Sequence, residues 1–140
     1  MREFVFDNVT LHTSDRWSDV SFWFLPDHEK TKPRVIAPNE EEYLEILIYP
    51  NRQISDIGEL NSLLDEESSK QGYPSQKLDS VENDFWVAAS FKDEAKEWFY
   101  RMWWLCRKNT TVCLMFHGKL EYYINWLKEC DEIVRSINIE

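Results

Sequence analysis

The sequence contains little glycine, with only Gly58, Gly72 and Gly118 among 140 residues. Loops that cradle a phosphate, such as GxGxxG or GxxxxGK[ST], need several closely spaced glycines, and the GxSxG motif of many hydrolases needs two. None of these motifs occurs, which argues against the common nucleotide-binding and hydrolase sites. The same scarcity argues against a β-barrel or propeller rich in tight turns.

Cysteine and histidine are also few. Cys106, Cys113 and Cys130 are an odd number of thiols flanked by apolar residues, which predicts buried free thiols in a reducing cytoplasm. The three histidines are far apart in sequence and no CxxC or HxxxH occurs, so we expect no metal and no cofactor. A Cys113–His117 nucleophile pair is disfavoured, because residues four apart in a strand lie ~13 Å from each other.

Long apolar runs are missing as well. No run approaches the ~20 residues that span a bilayer. Residues 1–10 contain no apolar region typical of a secretory signal. We therefore expect a cytoplasmic protein that does not act at a membrane.

Positive charge is in the minority, with 16 basic against 26 acidic residues and a formal net charge of −10. This balance repels nucleic acid and anionic membrane surfaces, so neither is an expected partner. The simplest consequence of the charge is solubility. The alternative is that it steers a basic protein partner, such as a nuclease-like protein, towards this one.

Aromatic residues are abundant at 15% of the chain. They supply enough apolar area for a sizeable core. A chain of this length buries about two-thirds of its unfolded surface without a metal or disulfide. We therefore expect residues 1–140 to form a single domain.

The spacing of apolar residues predicts strands followed by a helix, then strands followed by a helix. The predicted strands cover residues 4–11, with a turn or a bulge at Asp7-Asn8, and residues 20–25, 34–37, 43–49, 77–81, 85–91, 98–106 and 110–116. The predicted helices cover residues 54–70, capped by Ser55 or Asp56, and residues 120–137. Short turns, including Lys108-Asn109, require antiparallel pairing. The predicted fold class is α+β, an antiparallel sheet with helices packed on it.

The second predicted helix is strongly amphipathic. Its expected buried face consists of Leu120, Tyr122, Tyr123, Ile124, Trp126, Leu127, Ile133, Val134 and Ile137. Two such helices need apolar sheet surface to cover, which supports a layered arrangement.

Trp103 and Trp104 are adjacent in a predicted strand, so their side chains must face opposite sides of the sheet. Either the sheet is covered on both faces, or one aromatic face is exposed and binds a partner or a second copy of the chain. If both side chains are buried, a binding surface must lie in the loops and acidic edges.

Two further segments carry candidate contact residues. Trp17 lies between the first strands, next to Asp19, and is either a lid over the edge of the core or a contact residue. Glu40, Glu41 and Glu42 form either a solvated turn or an acidic contact. The full set of candidate binding residues is Trp17, Asp19, Glu40, Glu41, Glu42, Trp103 and Trp104.

Three segments together resemble the PsbP-like superfamily, which includes DcrB-like bacterial domains and a eukaryotic Ran-binding nuclear import factor. They are RWSDV at 16–20, ISDIGEL at 54–60, and FWVAAS at 85–90 combined with a last helix ending in DEIVRSI at 131–137. The likeness extends over most of the chain. It implies an αβα sandwich and a binding or accessory role without enzymatic activity, as in toxin chaperones and immunity-like partners.

Two hypotheses of function follow. The first is a non-catalytic protein–protein interaction domain, a bacterial immunity or effector-accessory protein with a basic protein partner or, as an alternative, a homodimer. The acidic runs lie in polar segments, whereas catalytic carboxylates need an apolar pocket, so we expect no enzymatic activity. The second is a small-molecule-binding or enzymatic domain with an aromatic pocket around Arg101, His117 and Tyr122.

Overall fold

A computed structural model describes residues 1–23, 33–54, 56–70, 75–93 and 97–140. The strands are β1 (Arg2–Phe6), β2 (Val9–Thr13), β3 (Ser18–Asp19), β4 (Arg34–Ala37), β5 (Tyr43–Pro50), β6 (Ser75–Glu82), β7 (Val87–Asp93), β8 (Trp98–Arg107), β9 (Thr110–Lys119) and β10 (Asn138–Ile139). The helices are α1 (Ile57–Lys70) and α2 (Tyr123–Arg135), and 3-10 turns occupy Ser21–Trp23 and Leu120–Tyr122. Among these residues, no helix is both long enough and apolar enough to cross a membrane.

Seven strands form one antiparallel sheet in the order β3-β4-β5-β9-β8-β7-β6. The β8–β9 hairpin turns at Lys108 and Asn109, whose φ angles of 50° and 62° suit a two-residue turn, as predicted. Because β5 pairs with β9, the start of β5 lies beside the end of β9 although α1 and three strands separate them in sequence. This pairing assembles the candidate site described below.

A second, three-stranded antiparallel sheet consists of β1, β2 and β10. β1 and β2 are joined by a turn at Asp7 and Asn8, where Asp7 has a φ of 56°, so the predicted turn is confirmed. The Asn8 side chain donates a hydrogen bond of 2.9 Å to Thr110 Oγ1 at the start of β9. That bond ties the small sheet to the large one.

The large sheet is covered on both faces. The first face packs against α2 and the small sheet, and the core between them includes Phe4, Leu11, Leu44, Trp103, Leu114 and Trp126. The opposite face packs against α1, and the core between them includes Leu60, Leu64, Met102, Trp104 and Met115. Trp103 is 0% and Trp104 is 3% exposed, so the prediction of a sheet covered on both sides is confirmed.

The strand predicted over residues 20–25 is wrong where the structure describes it, because Ser21–Trp23 form a 3-10 turn. Asp19 Oδ1 accepts hydrogen bonds from the backbone N–H of Ser21 at 2.9 Å and from its hydroxyl at 2.6 Å. Such local bonds offer the backbone an alternative to strand pairing. Residues 24–25 lie outside the described residues.

Helix α1 begins at Ile57, three residues later than predicted. Asp56 Oδ1 accepts a hydrogen bond of 2.8 Å from the backbone N–H of Gly58, which confirms Asp56 as the capping residue. The alternative cap, Ser55, lies outside the described residues.

The predicted second helix is divided in the structure. A 3-10 turn at Leu120–Tyr122 precedes α2, and its tighter three-residue period changes which side chains face the sheet. Tyr122 and Ile124 are therefore 46% and 72% exposed, and their predicted burial is wrong. Ile137 is buried, but it follows the end of the helix. The buried helical residues are Trp126, Cys130, Ile133 and Val134.

Candidate functional site

The three tryptophans predicted as contact residues are core residues in the structure. Trp17 is fully buried and its indole N–H donates a 2.7 Å hydrogen bond to Glu129 Oε2 on α2, which agrees with a lid over the core edge. The Trp103 indole N–H donates a 2.9 Å bond to Asp131 Oδ1. Trp104 stacks on Tyr49 on the opposite face of the sheet. None of the three offers its ring to a partner in this conformation.

The acidic turn before β5 is divided between surface and interior. Glu40 and Glu41 are exposed, whereas Glu42 is 4% exposed. Glu42 Oε2 accepts a 2.8 Å hydrogen bond from the backbone N–H of Lys119, and Glu42 Oε1 accepts one of 3.0 Å from the Asn39 side chain. Glu42 therefore anchors the turn to β9, and Glu40 and Glu41 are the members available to a ligand. Asp19 is exposed and holds the Ser21 turn.

Arg101 lies in the core and lines neither of the two cavities described below. It is 1% exposed on the α2 face of β8, and its Nη1 lies 2.8 Å from both Asp79 Oδ1 and Ser90 Oγ. Its Nε lies 3.3 Å from Asp131 Oδ1. The Tyr123 hydroxyl donates a 3.0 Å hydrogen bond to Asp79 Oδ1. Arg101 is the centre of a buried ionic network that joins β6, β7, β8 and α2.

Tyr122 and His117 are also separated from Arg101, so the pocket predicted around these three residues is wrong. Tyr122 borders a polar hollow of about 340 Å³ beside α2, together with Arg16 and Glu129. Arg101 pairs with Phe116, and paired residues share a face of the sheet. His117 follows Phe116 in β9, and successive side chains in a strand face opposite sides, so His117 lies on the face opposite Arg101.

The candidate site is a cavity of about 230 Å³ on that other face. Its lining residues are Glu41, Tyr43, Asp93, Trp98, Phe99, Tyr100 and His117. They come from β5, β9, β8, β7 and the acidic turn, and none comes from α1. We call this cavity the aromatic pocket.

Strand register explains how the aromatic pocket is assembled. Tyr43 pairs with His117, and His117 pairs with Tyr100, so these three side chains form a row across β5, β9 and β8. Trp98 lies two residues before Tyr100 in β8 and pairs with Lys119 of β9 and with Asp93 of β7. These three side chains form a second row. Residues two apart in a strand share a face, so the two rows face the same side.

The first row is a set of stacked rings. The Tyr43 and His117 rings are 4.6 Å apart at an interplanar angle of 22°, and the Tyr100 ring lies 6.4 Å from His117. His117 Nε2 lies 3.2 Å from Glu45 Oε1, an ion-pair distance when the imidazole is protonated. The row is therefore a run of rings packed on one another, with a carboxylate at its edge.

The second row carries charge. Lys119 Nζ lies 2.5 Å from Glu41 Oε2, and this hydrogen bond raises the pKa of the Lys119 ammonium. Asp93 is 6% exposed and borders the same cavity. Carboxylates beside aromatic rings favour a cationic group, since the ring face is the negative pole of the aromatic quadrupole.

Two of the three thiols offer no nucleophile to this site. Cys113 and Cys130 are fully buried, and burial raises the pKa of both well above the usual value, which keeps them protonated. Within the described ranges, no three His, Cys, Asp or Glu side chains converge to hold a metal ion.

Sequence reasoning singled out Glu41 and His117 but missed the other five lining residues, Tyr43, Asp93, Trp98, Phe99 and Tyr100. The available signal was the alternation of Trp98 with Tyr100 and of His117 with Lys119, each pair on one face of its strand. This alternation could not locate a pocket until the pairing of β5 with β9 was known.

No family model matches the sequence, and no curated protein does. Solved structures do match. The cyanobacterial PsbP protein (CyanoP) of Synechocystis sp. PCC 6803 superposes with a TM-score of 0.65 at 9% identity, over 99% of this chain and 92% of that one. The chain has the PsbP-like fold. The predicted resemblance is thus confirmed as a likeness of fold.

Two further structures share this PsbP-like architecture. A Bacteroides thetaiotaomicron protein matches with a TM-score of 0.62 at 13% identity, over 99% of this chain and 48% of that chain. LpqN of Mycobacterium tuberculosis, which is involved in cell envelope biogenesis, matches with a TM-score of 0.55 at 11% identity, over 94% of this chain and 82% of its own. These identities establish the fold alone.

Proposed function

We propose that this protein is a non-catalytic binding domain that recognises a positively charged region of another protein at the aromatic pocket. The observation that carries the proposal is the pocket itself, where stacked rings stand beside Glu41, Asp93 and Glu45. Aromatic side chains are the residues that most often dominate binding energy at protein interfaces. The net charge of −10 favours encounter with a basic partner.

The specific form of the proposal is a bacterial immunity or effector-accessory protein that acts in the cytoplasm. An acidic binding domain suits the neutralisation of a cationic protein, because charge complementarity speeds encounter and rejects wrong partners. Buried free thiols such as Cys113 and Cys130 are typical of proteins in a reducing compartment.

A matched pair of charge reversals tests the proposal. Glu41 and Glu66 each pair with a lysine and each have a side chain that is 62% exposed, but Glu66 lies on α1 and does not line the pocket. Tagged wild-type protein, Glu41→Lys and Glu66→Lys are used as bait in lysate of the source cells. We expect one basic protein to be recovered by the wild type and by Glu66→Lys, and to be lost with Glu41→Lys.

Recovery should also fall when salt is raised from about 0.15 M to 1 M, where the screening length shrinks to about 3 Å. Equal recovery by all three baits would contradict the pocket as the contact surface. A lysate that yields no specific partner for any bait would contradict protein binding.

One observation favours a second candidate, a small-molecule-binding or acid–base site. His117 Nε2 and Glu45 Oε1 are 3.2 Å apart at the edge of a cavity large enough for a small ligand. A histidine beside a carboxylate is a common arrangement for proton transfer. A metabolite that stabilises the wild type but not His117→Gln against heat would support this candidate instead.

A further inference from the structure

We propose that the aromatic pocket takes the guanidinium group of an arginine side chain that the partner protein inserts. This inference rests on the proposed function and names the group that the site recognises. Three observations point to arginine: the aromatic rings that line the pocket, the carboxylates among them, and a lysine that is ion-paired to one of those carboxylates.

The walls are flat rings. Tyr43 and His117 stack on each other at 4.6 Å and the buried Tyr100 stacks on Phe91 at 5.0 Å, whereas Trp98 is half-buried and lines the cavity. A guanidinium group is planar and stacks on aromatic faces, whereas an ammonium is a compact and strongly hydrated point charge. A volume of about 230 Å³ accommodates one long side chain.

The carboxylates stand at the second row, next to Trp98. Asp93 is the cross-strand partner of Trp98 and lines the cavity, and Glu41 lines it from the turn before β5. A guanidinium has five N–H donors in a fixed fork, so it can contact an aromatic face and a carboxylate at the same time.

Lys119 lines a neighbouring hollow and not the pocket itself, but its ion pair shows that Glu41 already holds a cation. Its ammonium lies 2.5 Å from Glu41 Oε2, and the two side chains are 34% and 62% exposed. Exposed ion pairs contribute little free energy, so an incoming guanidinium can replace Lys119 on Glu41 at little cost. Lys119 therefore competes with the ligand.

The experiment uses three small probes: the N-acetyl, N-methylamide derivatives of arginine, lysine and citrulline. Citrulline keeps the planar shape of arginine but carries no charge. Binding to the full chain is followed by the NMR shift of the Trp98 indole N–H. We expect arginine to bind with a Kd in the millimolar range, and lysine and citrulline to bind at least about tenfold more weakly.

Substitutions of surface residues locate the site without unfolding the protein. Glu41→Gln should weaken arginine binding about fivefold to tenfold, because it removes one charge-assisted hydrogen bond. Glu40→Gln, which changes an exposed neighbour that does not line the pocket, should leave binding unchanged. Lys119→Met should tighten binding about twofold to fivefold, because it removes the competing cation.

Equal binding of citrulline and arginine would overturn the inference, since the site would then recognise the planar shape of the group and not its charge. Equal binding of lysine and arginine would overturn the choice of arginine. If arginine fails to bind while a basic partner is still recovered from lysate in a Glu41-dependent way, the inference fails and the proposed function stands. If neither arginine nor a protein partner binds, both fail.

Discussion

Replacing Arg101 with methionine tests the buried ionic network most severely. Arg101 is 1% exposed and supplies the positive charge for Asp79 and Asp131, which are 32% and 30% exposed. Methionine fills much of the space of the arginine stem, so the change removes the charge and its hydrogen bonds more than the packing. The variant removes the Arg101 Nη1 hydrogen bonds to Asp79 and to the buried Ser90 hydroxyl, and it removes the positive charge that lies 3.3 Å from Asp131.

The magnitude follows from this geometry. Breaking a buried ion pair by removing one partner costs about 3–5 kcal/mol. Because the side chains of both aspartates are about one-third exposed, water partly replaces the lost contacts, and we expect a loss of about 3 kcal/mol. For a chain of this size, that corresponds to a fall in Tm of roughly 10 °C.

The assay is urea unfolding followed by tryptophan fluorescence, with Arg107→Met as the matched control. The Arg107 guanidinium lies 5.1 Å from the centroid of the Phe85 ring, a partly exposed contact worth at most ~1 kcal/mol. Adding Asp79→Asn and Asp131→Asn to Arg101→Met should recover part of the loss, because it removes the unpaired charges. A loss below about 1 kcal/mol for Arg101→Met, or no recovery in the triple variant, would refute this account of the network.

Two further predictions concern the thiols and Gly118. In the folded protein at about pH 8, Cys106, which is half-buried, should react with Ellman's reagent well before Cys113 and Cys130, because burial raises the pKa of the latter two thiols. For the same reason, the free energy of unfolding should fall as pH rises above about 8.5, where the unfolded thiols ionise and the folded ones do not; three equal reaction rates would contradict the burial. Gly118→Ala would place a Cβ 2.5 Å from the Phe116 ring, so we expect a loss of about 1–3 kcal/mol in urea unfolding, and an unchanged midpoint would contradict the close packing.

Much of the fold could be predicted from the sequence because its signals are local. The turns at Asp7-Asn8 and Lys108-Asn109 are marked by residues that tolerate positive φ, and both are turns in the structure. Adjacent tryptophans in one strand predicted either a sheet covered on both faces or a sheet with one exposed aromatic face. In the structure both faces are covered. The errors at Ser21 and Ile124 arose where a 3-10 turn replaced a regular element.

The candidate site could not be predicted in the same way, because no local pattern places β5 beside β9. Tyr43 and His117 contact one another only through this long-range pairing. The acidic turn was recognised from its charge alone, but charge does not distinguish the exposed Glu41 from the buried Glu42. That difference depends on the backbone N–H of Lys119, which becomes a partner of Glu42 only when the strands pair.

The most direct test of the central claim is to map where a basic segment binds on the intact chain. A short peptide rich in arginine and glycine is titrated into isotope-labelled protein, and backbone amide shifts are recorded at about 0.15 M and 1 M salt. The account predicts that the shifts concentrate at Glu41, Tyr43, Trp98 and His117 and vanish at the higher salt concentration. Shifts that spread over the whole surface, or that cluster at the polar hollow beside Arg16, would contradict it.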